Sequence, residues 1–246
     1  MNRLVIIIDA LRYDAGKQII APYFNGTCMQ ALSLSDWTFP AFFEIGKLMR
    51  NFCGNITLVS GGGWVSRINW KKFGVEYKIA KSLFPLKNTR IAIKQYKDPE
   101  GDSLLVVHDY WVHQWFMDMP NRKVQSWKCE QPRALDAYNN RCRQILPWIQ
   151  DLVDAFDWDI YITSDHSELM WEVENSYHHN YLARGNPMIR EIPLISLGDA
   201  PILSYSQLFT VSDMSDLAIP RPVQLKIRYG SNKFDSIKYI NDNIHM

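Results

Sequence analysis

Short, uninterrupted apolar runs rich in β-branched residues alternate along the chain with longer stretches whose apolar positions recur at helical spacing. Residues 4–8, 57–60, 103–108, 160–163 and 192–196 read as strands buried on both faces, because their apolar runs are continuous rather than alternating. Residues 40–50 read as a helix, with Thr38 or Phe39 near the N-cap and Phe42, Ile45, Leu48 and Met49 at helical spacing. A longer helix is expected over 133–156, imperfect at Pro147. Beyond Ser212 the pattern is less regular, and 223–229 and 237–240 read as edge strands or a small hairpin. Strands alternating with helices predict an α/β fold, a central and mostly parallel sheet sandwiched by helices. With no internal repeat and no Gly-, Ser- or Pro-rich linker, the expectation is one domain over 1–246, with a small C-terminal β segment at 213–246.

Composition narrows the class. A chain of 246 residues with 47% hydrophobic residues can close a full core, which excludes disorder and a small disulfide scaffold. A net charge of +1 supplies no global field toward DNA or an anionic membrane. Cys28, Cys53, Cys129 and Cys142 fall in no tight ligand spacing and read as reduced thiols. Residues 1–8 end abruptly at Asp9, as a strand does and a signal peptide does not, and no stretch reaches the roughly 18 apolar residues of a spanning helix. These features predict a soluble, cytoplasmic protein. Charge is unevenly placed: 67–97 holds nine basic residues and one acidic one, whereas 151–174 holds eight acidic residues and no Lys or Arg. Each run is either a solvated face or, together, an anion-attracting rim beside a cation-holding centre.

Four segments carry candidate chemistry. Asp9 directly follows a buried strand, where an open α/β sheet places ligands, although an Asp there is also a common turn former. Ser35 and Thr38 stand just ahead of a helix, where N–H groups and the macrodipole favour an anion; the plain alternative is an N-cap. Asp109 and His113 are four apart, so on one helical turn they would face one metal ion, a spacing that also arises by chance. Asp165 and His166 adjoin at a strand end, with Glu168 next and the pair His178-His179 following. Five of the six histidines (108, 113, 166, 178, 179) lie in or beside these segments, a clustering that core packing does not explain.

The ordered motifs, from Leu4 through Asp9, Arg12 and Asp14, then Thr38-Phe39-Pro40, then Asp109 through His113, then Thr163-Ser164-Asp165-His166-Ser167-Glu168 and His179, resemble those of the alkaline phosphatase superfamily. Its nucleotide pyrophosphatase/phosphodiesterase branch and its sulfatase-like hydrolases are the nearest likenesses, over roughly three quarters of the chain. The resemblance implies two divalent ions, Zn or Mn by the carboxylate–imidazole ligand mixture. Asp9, Thr38, Asp165 and His166 would hold one ion. Asp109, His113 and a histidine of the 178/179 pair, with His179 preferred, would hold the other. Thr38, two before Pro40, would be the nucleophile, giving a threonine phospho-enzyme that water at the second ion releases.

Departures from that pattern matter. The sulfatase C/S-x-P-x-R is absent, since Thr38 is not the convertible residue and no Arg follows Pro40 in that register. Ala41 stands where the phosphodiesterase branch usually has Asn; Lys71, Lys72 or Arg12 are candidate substitutes for steadying a phosphoryl oxygen. Gly61-Gly62-Gly63 lacks the Lys-Ser/Thr of a phosphate loop and reads as a turn, and Trp64, Trp70 and Trp127 among basic residues are either packing or stacking residues. The expected activity is two-metal hydrolysis of a small anionic phosphate ester, a diester or nucleotide-type substrate first. Alternatives are a sulfatase-like or phosphotransferase activity, a catalytically inactive metal-binding interaction protein, or nucleic-acid binding through 67–97, which would be steeply salt-dependent without metals.

Overall fold

The computed structural model describes residues 2–61, 63–79, 85–95, 101–118, 131–170, 172, 177–178 and 186–210, with backbone only at 85–88, 95 and 177–178. The chain divides into units Met1–Ser215 and Asp216–Met246. The expected β segment at 213–246, with its strands at 223–229 and 237–240, lies outside the described residues.

Nine strands are described: β1 (Asn2–Ile8), β2 (Thr27–Leu32), β3 (Asn55–Ser60), β4 (Glu76–Ile79), β5 (Ser103–Asp109), β6 (Asp159–Thr163), β7 (Leu169–Met170), β8 (Tyr177–His178) and β9 (Glu191–Ser196). Seven form one sheet in the order β2-β9-β6-β1-β5-β3-β4, and β7 pairs with β8 apart from it. Pairing is parallel from β6 through β1, β5 and β3 to β4, whereas β9 runs antiparallel to both β6 and β2. This is the mostly parallel α/β sheet that the apolar runs predict.

Continuous hydrophobicity is needed because both faces are covered. On β1, Leu4, Ile6 and Ile8 enter one core while Val5 and Ile7 enter the other. The same two-residue alternation splits Leu105 and Val107 from Leu104 and Val106 on β5. Helix α1 (Thr38–Met49) covers the Val5 face with Phe42, Ile45 and Met49. Helix α2 (Pro85–Gln95), α3 (Gln131–Gln144) and α4 (Leu146–Ala155) lie on the Leu4 side, with Ala92, Tyr138, Cys142, Ile149 and Leu152 in that core.

The structure corrects the single helix expected over 133–156. Pro147, which has no N–H to donate, falls in the first turn of a new helix, so α3 ends before Ile145 and α4 begins after it. Cys28, Cys53 and Cys142 are free thiols, and Cys129 lies outside the described residues. Among the described residues, no helix is long and apolar enough to cross a membrane.

Strand register sets up the site. Ile8 is level with Asp109, His108 with both Ile7 and Ser60, and Ile7 with Thr163. The carboxyl ends of β1, β3, β5 and β6 therefore open on the same edge, the place where α/β sheets collect ligands.

Candidate active site

Asp9 leaves β1 into a turn that the rest of the edge holds in place. Ala10 takes a left-handed backbone, φ 61°, a conformation that costs a non-glycine residue about 1–2 kcal/mol. Its N–H donates to Asp165 Oδ1 at 3.2 Å and its carbonyl accepts the Tyr138 hydroxyl at 2.9 Å. The Leu11 N–H donates to Ser164 Oγ at 2.8 Å, and that hydroxyl donates to the Ile8 carbonyl at 2.7 Å. Tyr205 donates to the Ser164 carbonyl at 2.9 Å, and Ser33 Oγ donates to the Asp165 carbonyl. The strained turn thus persists because its neighbours over-determine it, the pattern expected at a functional site.

Four side chains converge there. Thr38, the first residue of α1 after the extended Trp37, sets Oγ1 3.3 Å from Asp9 Oδ2 and 3.2 Å from His166 Nε2. His166 Nε2 stands 3.4 Å from Asp9 Oδ1 and 3.6 Å from Asp165 Oδ2. Metal–ligand bonds of about 2.0–2.2 Å in a tetrahedron separate the ligand atoms by roughly 3.3–3.6 Å, close to these spacings. Asp9 Oδ1 and Asp165 Oδ2 are buried and accept no hydrogen bond among the described residues, a costly state for carboxylates and one that a cation relieves. His166 Nδ1 donates to the Ser167 carbonyl at 2.9 Å, so Nε2 is the nitrogen left facing the carboxylates and the one whose proton an ion would displace. The residues therefore fit a divalent ion held by Asp9, Thr38, Asp165 and His166. His108 Nε2 joins Asp9 and Asp165 in a second combination, their candidate ligand atoms lying within 4.8 Å of one another.

Electrostatics agree with a cation site. Burial opposes ionisation of Asp9, yet His113, His108 and His166 around it hold its carboxyl well below the usual range. Asp165 is pushed up by burial and by the charge of Asp9. Burial works against a charge on His166, but Asp165 and Asp9 outweigh it and push the imidazole up to about 10.

The second expected ligand set is not assembled in the same way. Asp109 closes β5, and His113 lies in the 3-10 segment Val112–Asp118, so the pair does not share the regular α-helical turn that its spacing presumes. Asp109 Oδ1 instead accepts the Trp111 N–H at 2.8 Å, and burial pushes its carboxyl up to about 7. His113 Nδ1 pairs with Glu168 Oε1 at 2.9 Å and lies 3.6 Å from Asp9 Oδ1. Glu168, buried at 1% exposure, also accepts the Trp115 indole N–H. His179 lies outside the described residues.

The His113 segment is pinned from α3. Arg141 forks onto Asp118 at 2.5 and 2.7 Å, lies 3.9 Å over the Trp111 ring and donates to the Trp111 carbonyl at 3.3 Å. An Arg141→Met substitution keeps the apolar stem and loses the fork, so it should lower stability by on the order of 2 kcal/mol. Thermal melts, with hydrogen exchange across 112–118, check this.

Other candidates resolve differently. Arg12 is held by Asp14 at 2.7 and 2.9 Å and by Glu172, so carboxylates already occupy the guanidinium considered for a phosphoryl oxygen. Trp70 is a core residue whose indole N–H donates to the Val65 carbonyl at 2.9 Å. Trp64 is exposed, with Arg67 4.1 Å over its ring and Trp37 edge-on at 5.6 Å; Trp127 lies outside the described residues. Gly61 is accounted for by packing, since a Cβ there would stand 2.2 Å from the Tyr110 ring. Sequence reasoning gave no role to His108, Glu168, Ser33, Ser60, Tyr138 or Tyr205. For His108 a signal existed, the imidazole closing a buried strand beside Asp109.

With this geometry in hand, the α/β fold is similar to that of solved phosphoethanolamine transferase domains and of a sulfatase. The C-terminal periplasmic domain of EptC from Escherichia coli, crystallised with Zn, superposes with a TM-score of 0.56 at 10% identity, over 87% of this chain and 76% of that one. The C-terminal periplasmic domain of the phosphoethanolamine transferase EptC from Campylobacter jejuni gives 0.56 at 12% identity, over 85% and 86%. A 2-O GAG sulfatase gives 0.58 at 12% identity, over 80% and 64%. No family model and no curated protein sequence matches the chain. The phosphodiesterase expectation gains no support from these structures, which are of transferases and a sulfatase.

Proposed function

We propose that the chain is a metal-dependent phosphotransferase in which Thr38 takes a phosphoryl or substituted phosphoryl group from an ester and passes it to an acceptor. One observation carries the reading: the hydroxyl of Thr38 sits at a helix start between Asp9 Oδ2 and His166 Nε2, at 3.3 and 3.2 Å, beside buried carboxylate oxygens that accept no hydrogen bond among the described residues. The likeness of fold to phosphoethanolamine transferases supports transfer over hydrolysis. Thr38 favours phosphoryl over sulfuryl chemistry, because it is not the convertible Cys or Ser of the sulfatase motif.

Asp9, Thr38, Asp165 and His166 would hold a divalent ion such as zinc, which would lower the pKa of the threonine hydroxyl and neutralise charge on the ester. Thr38 Oγ1 attacks phosphorus, the Oγ1–P bond forming as the bond to the leaving oxygen breaks. The threonine proton passes to solvent, and the departing oxygen takes a proton from solvent. An acceptor hydroxyl then bonds to phosphorus as the Oγ1–P bond breaks, its proton passing to solvent while Thr38 Oγ1 takes one back. The chain positions the nucleophile through the α1 start and fixes its two neighbours through the Ser164, Tyr138 and Tyr205 hydrogen bonds.

The test is a panel of aryl phosphate, bis-aryl phosphate and aryl sulfate esters, each with and without an added alcohol acceptor and with zinc present. Faster release from a phosphate ester with acceptor, and phosphorylated acceptor as product, is the expected result. Turnover of the sulfate ester alone, or phosphate release indifferent to every acceptor, would overturn the reading.

A further inference from the structure

His108 is fully buried at 1% exposure, at the end of β5, with the Phe42 ring packed edge-on 4.6 Å away. Its Nε2 lies 3.3 Å from Asp9 Oδ2 and its Nδ1 lies 2.9 Å from Ser60 Oγ. An ionised carboxylate only accepts, so the bond to Asp9 needs the proton on Nε2. A serine hydroxyl can donate, so it supplies the proton that Nδ1 of that tautomer accepts. Ser60 and His108 are held level by the β3–β5 register, which makes the line Ser60–His108–Asp9 a property of the sheet rather than of a loop.

We infer that His108 is a positioning residue for the metal site: oriented by Ser60, it holds Oδ2 of Asp9 so that Oδ1 turns toward His166 and the ion. The two carboxylate oxygens have different surroundings. Oδ2 faces Thr38 and His108, whereas Oδ1, 3.4 Å from His166 Nε2, has no hydrogen bond among the described residues. A carboxylate ligand free to rotate would lose that distinction, and the conformational entropy lost on binding metal would rise. His108 could alternatively be a direct ligand, since its Nε2 belongs to the Asp9–His108–Asp165 group. Its donor position on Oδ2 and the Ser60 contact behind it argue for support from outside the ligand set, as imidazoles and carboxylates commonly orient ligands.

This inference rests on the reading of Asp9, Asp165 and His166 as metal ligands, and the experiment separates the two. The full chain is titrated with Zn²⁺ against a competing chelator, and with Co²⁺ followed by its visible absorption, for wild type, His108→Phe, His108→Gln, Ser60→Ala and Asp165→Asn. Metal-free melting temperatures are recorded alongside. His108→Phe should weaken zinc about 10–100-fold, the usual effect of removing an outer-shell partner, and His108→Gln, whose amide can donate at the Nε2 position, should recover most of it. Ser60→Ala should weaken zinc several-fold. The Co²⁺ absorption envelope should be the same in these three as in wild type, because no ligand has changed.

Unchanged zinc affinity in His108→Phe, or in both His108→Gln and Ser60→Ala should the Phe variant not fold, overturns the inference. So does an altered Co²⁺ envelope in His108→Gln, which would make His108 a ligand. Wild-type zinc affinity in Asp165→Asn instead overturns the ligand assignment itself.

Discussion

Thr38→Ala should abolish the covalent phospho-enzyme and lower group transfer by at least about 10³-fold while the protein keeps its fold. Trp37 is the N-cap and Thr38 only the first helical residue, so the hydroxyl is not needed to start α1, and alanine suits a helix interior. What is lost is the hydroxyl oxygen that stands beside both Asp9 and His166. Trapping the phospho-enzyme at low pH, followed by peptide mapping, should place the label on the peptide containing Thr38 in wild type and nowhere in the variant. Thr38→Ser, which keeps the hydroxyl without the methyl group, should retain labelling at reduced rate. Label on Ser35 in the alanine variant would mean the nucleophile is misassigned. That residue is the natural rival in sequence, but its Oγ donates to Asp36 at 3.3 Å and not to the site.

Where sequence showed the fold, burial on both faces is the reason. The runs 4–8, 104–107 and 160–162 are apolar at every position because each alternate side chain meets a different core. β2 and β4 were not legible, since each lies at a sheet edge and mixes exposed with half-buried positions. Asp9, Asp165 and His166 were legible for a related reason: polar residues directly after fully apolar strands must stand at the carboxyl edge. Asp109 and His113 looked alike on spacing alone, but four residues make one face only on an α-helix, and here Asp109 still belongs to β5 while His113 lies in a 3-10 segment that begins only at Val112. The contacts of Tyr138, Tyr205, Ser33 and Ser60 with the site span many residues of sequence, and no local pattern encodes them.

Metal-free Asp165→Asn should be more stable than metal-free wild type, and addition of zinc should reverse the order. Asp165 is completely buried a short distance from a second carboxylate, and its Oδ2 accepts no hydrogen bond among the described residues. Burial and the charge of Asp9 push it above its ordinary 3.8, and the attraction of His166 and His108 does not recover the difference. A carboxyl whose folded-state pKa is raised binds protons more tightly folded than unfolded. Metal-free wild type therefore loses stability as pH rises from about 4, and it carries the whole cost once pH has passed the raised value. Asparagine keeps an oxygen for the Ala10 N–H and brings no charge, so the variant escapes that loss. In calorimetry after chelation at neutral pH, its melting temperature should lie about 2–4 °C above wild type, the shift that 1 kcal/mol makes in a chain of this size, and the gap should close below pH 4. Zinc at a hundred times its dissociation constant should add about 2.7 kcal/mol to wild type and almost nothing to the variant. A variant that melts lower without metal would show that the Asp165 charge is compensated inside the protein. One that zinc still stabilises fully would remove Asp165 from the ligand set.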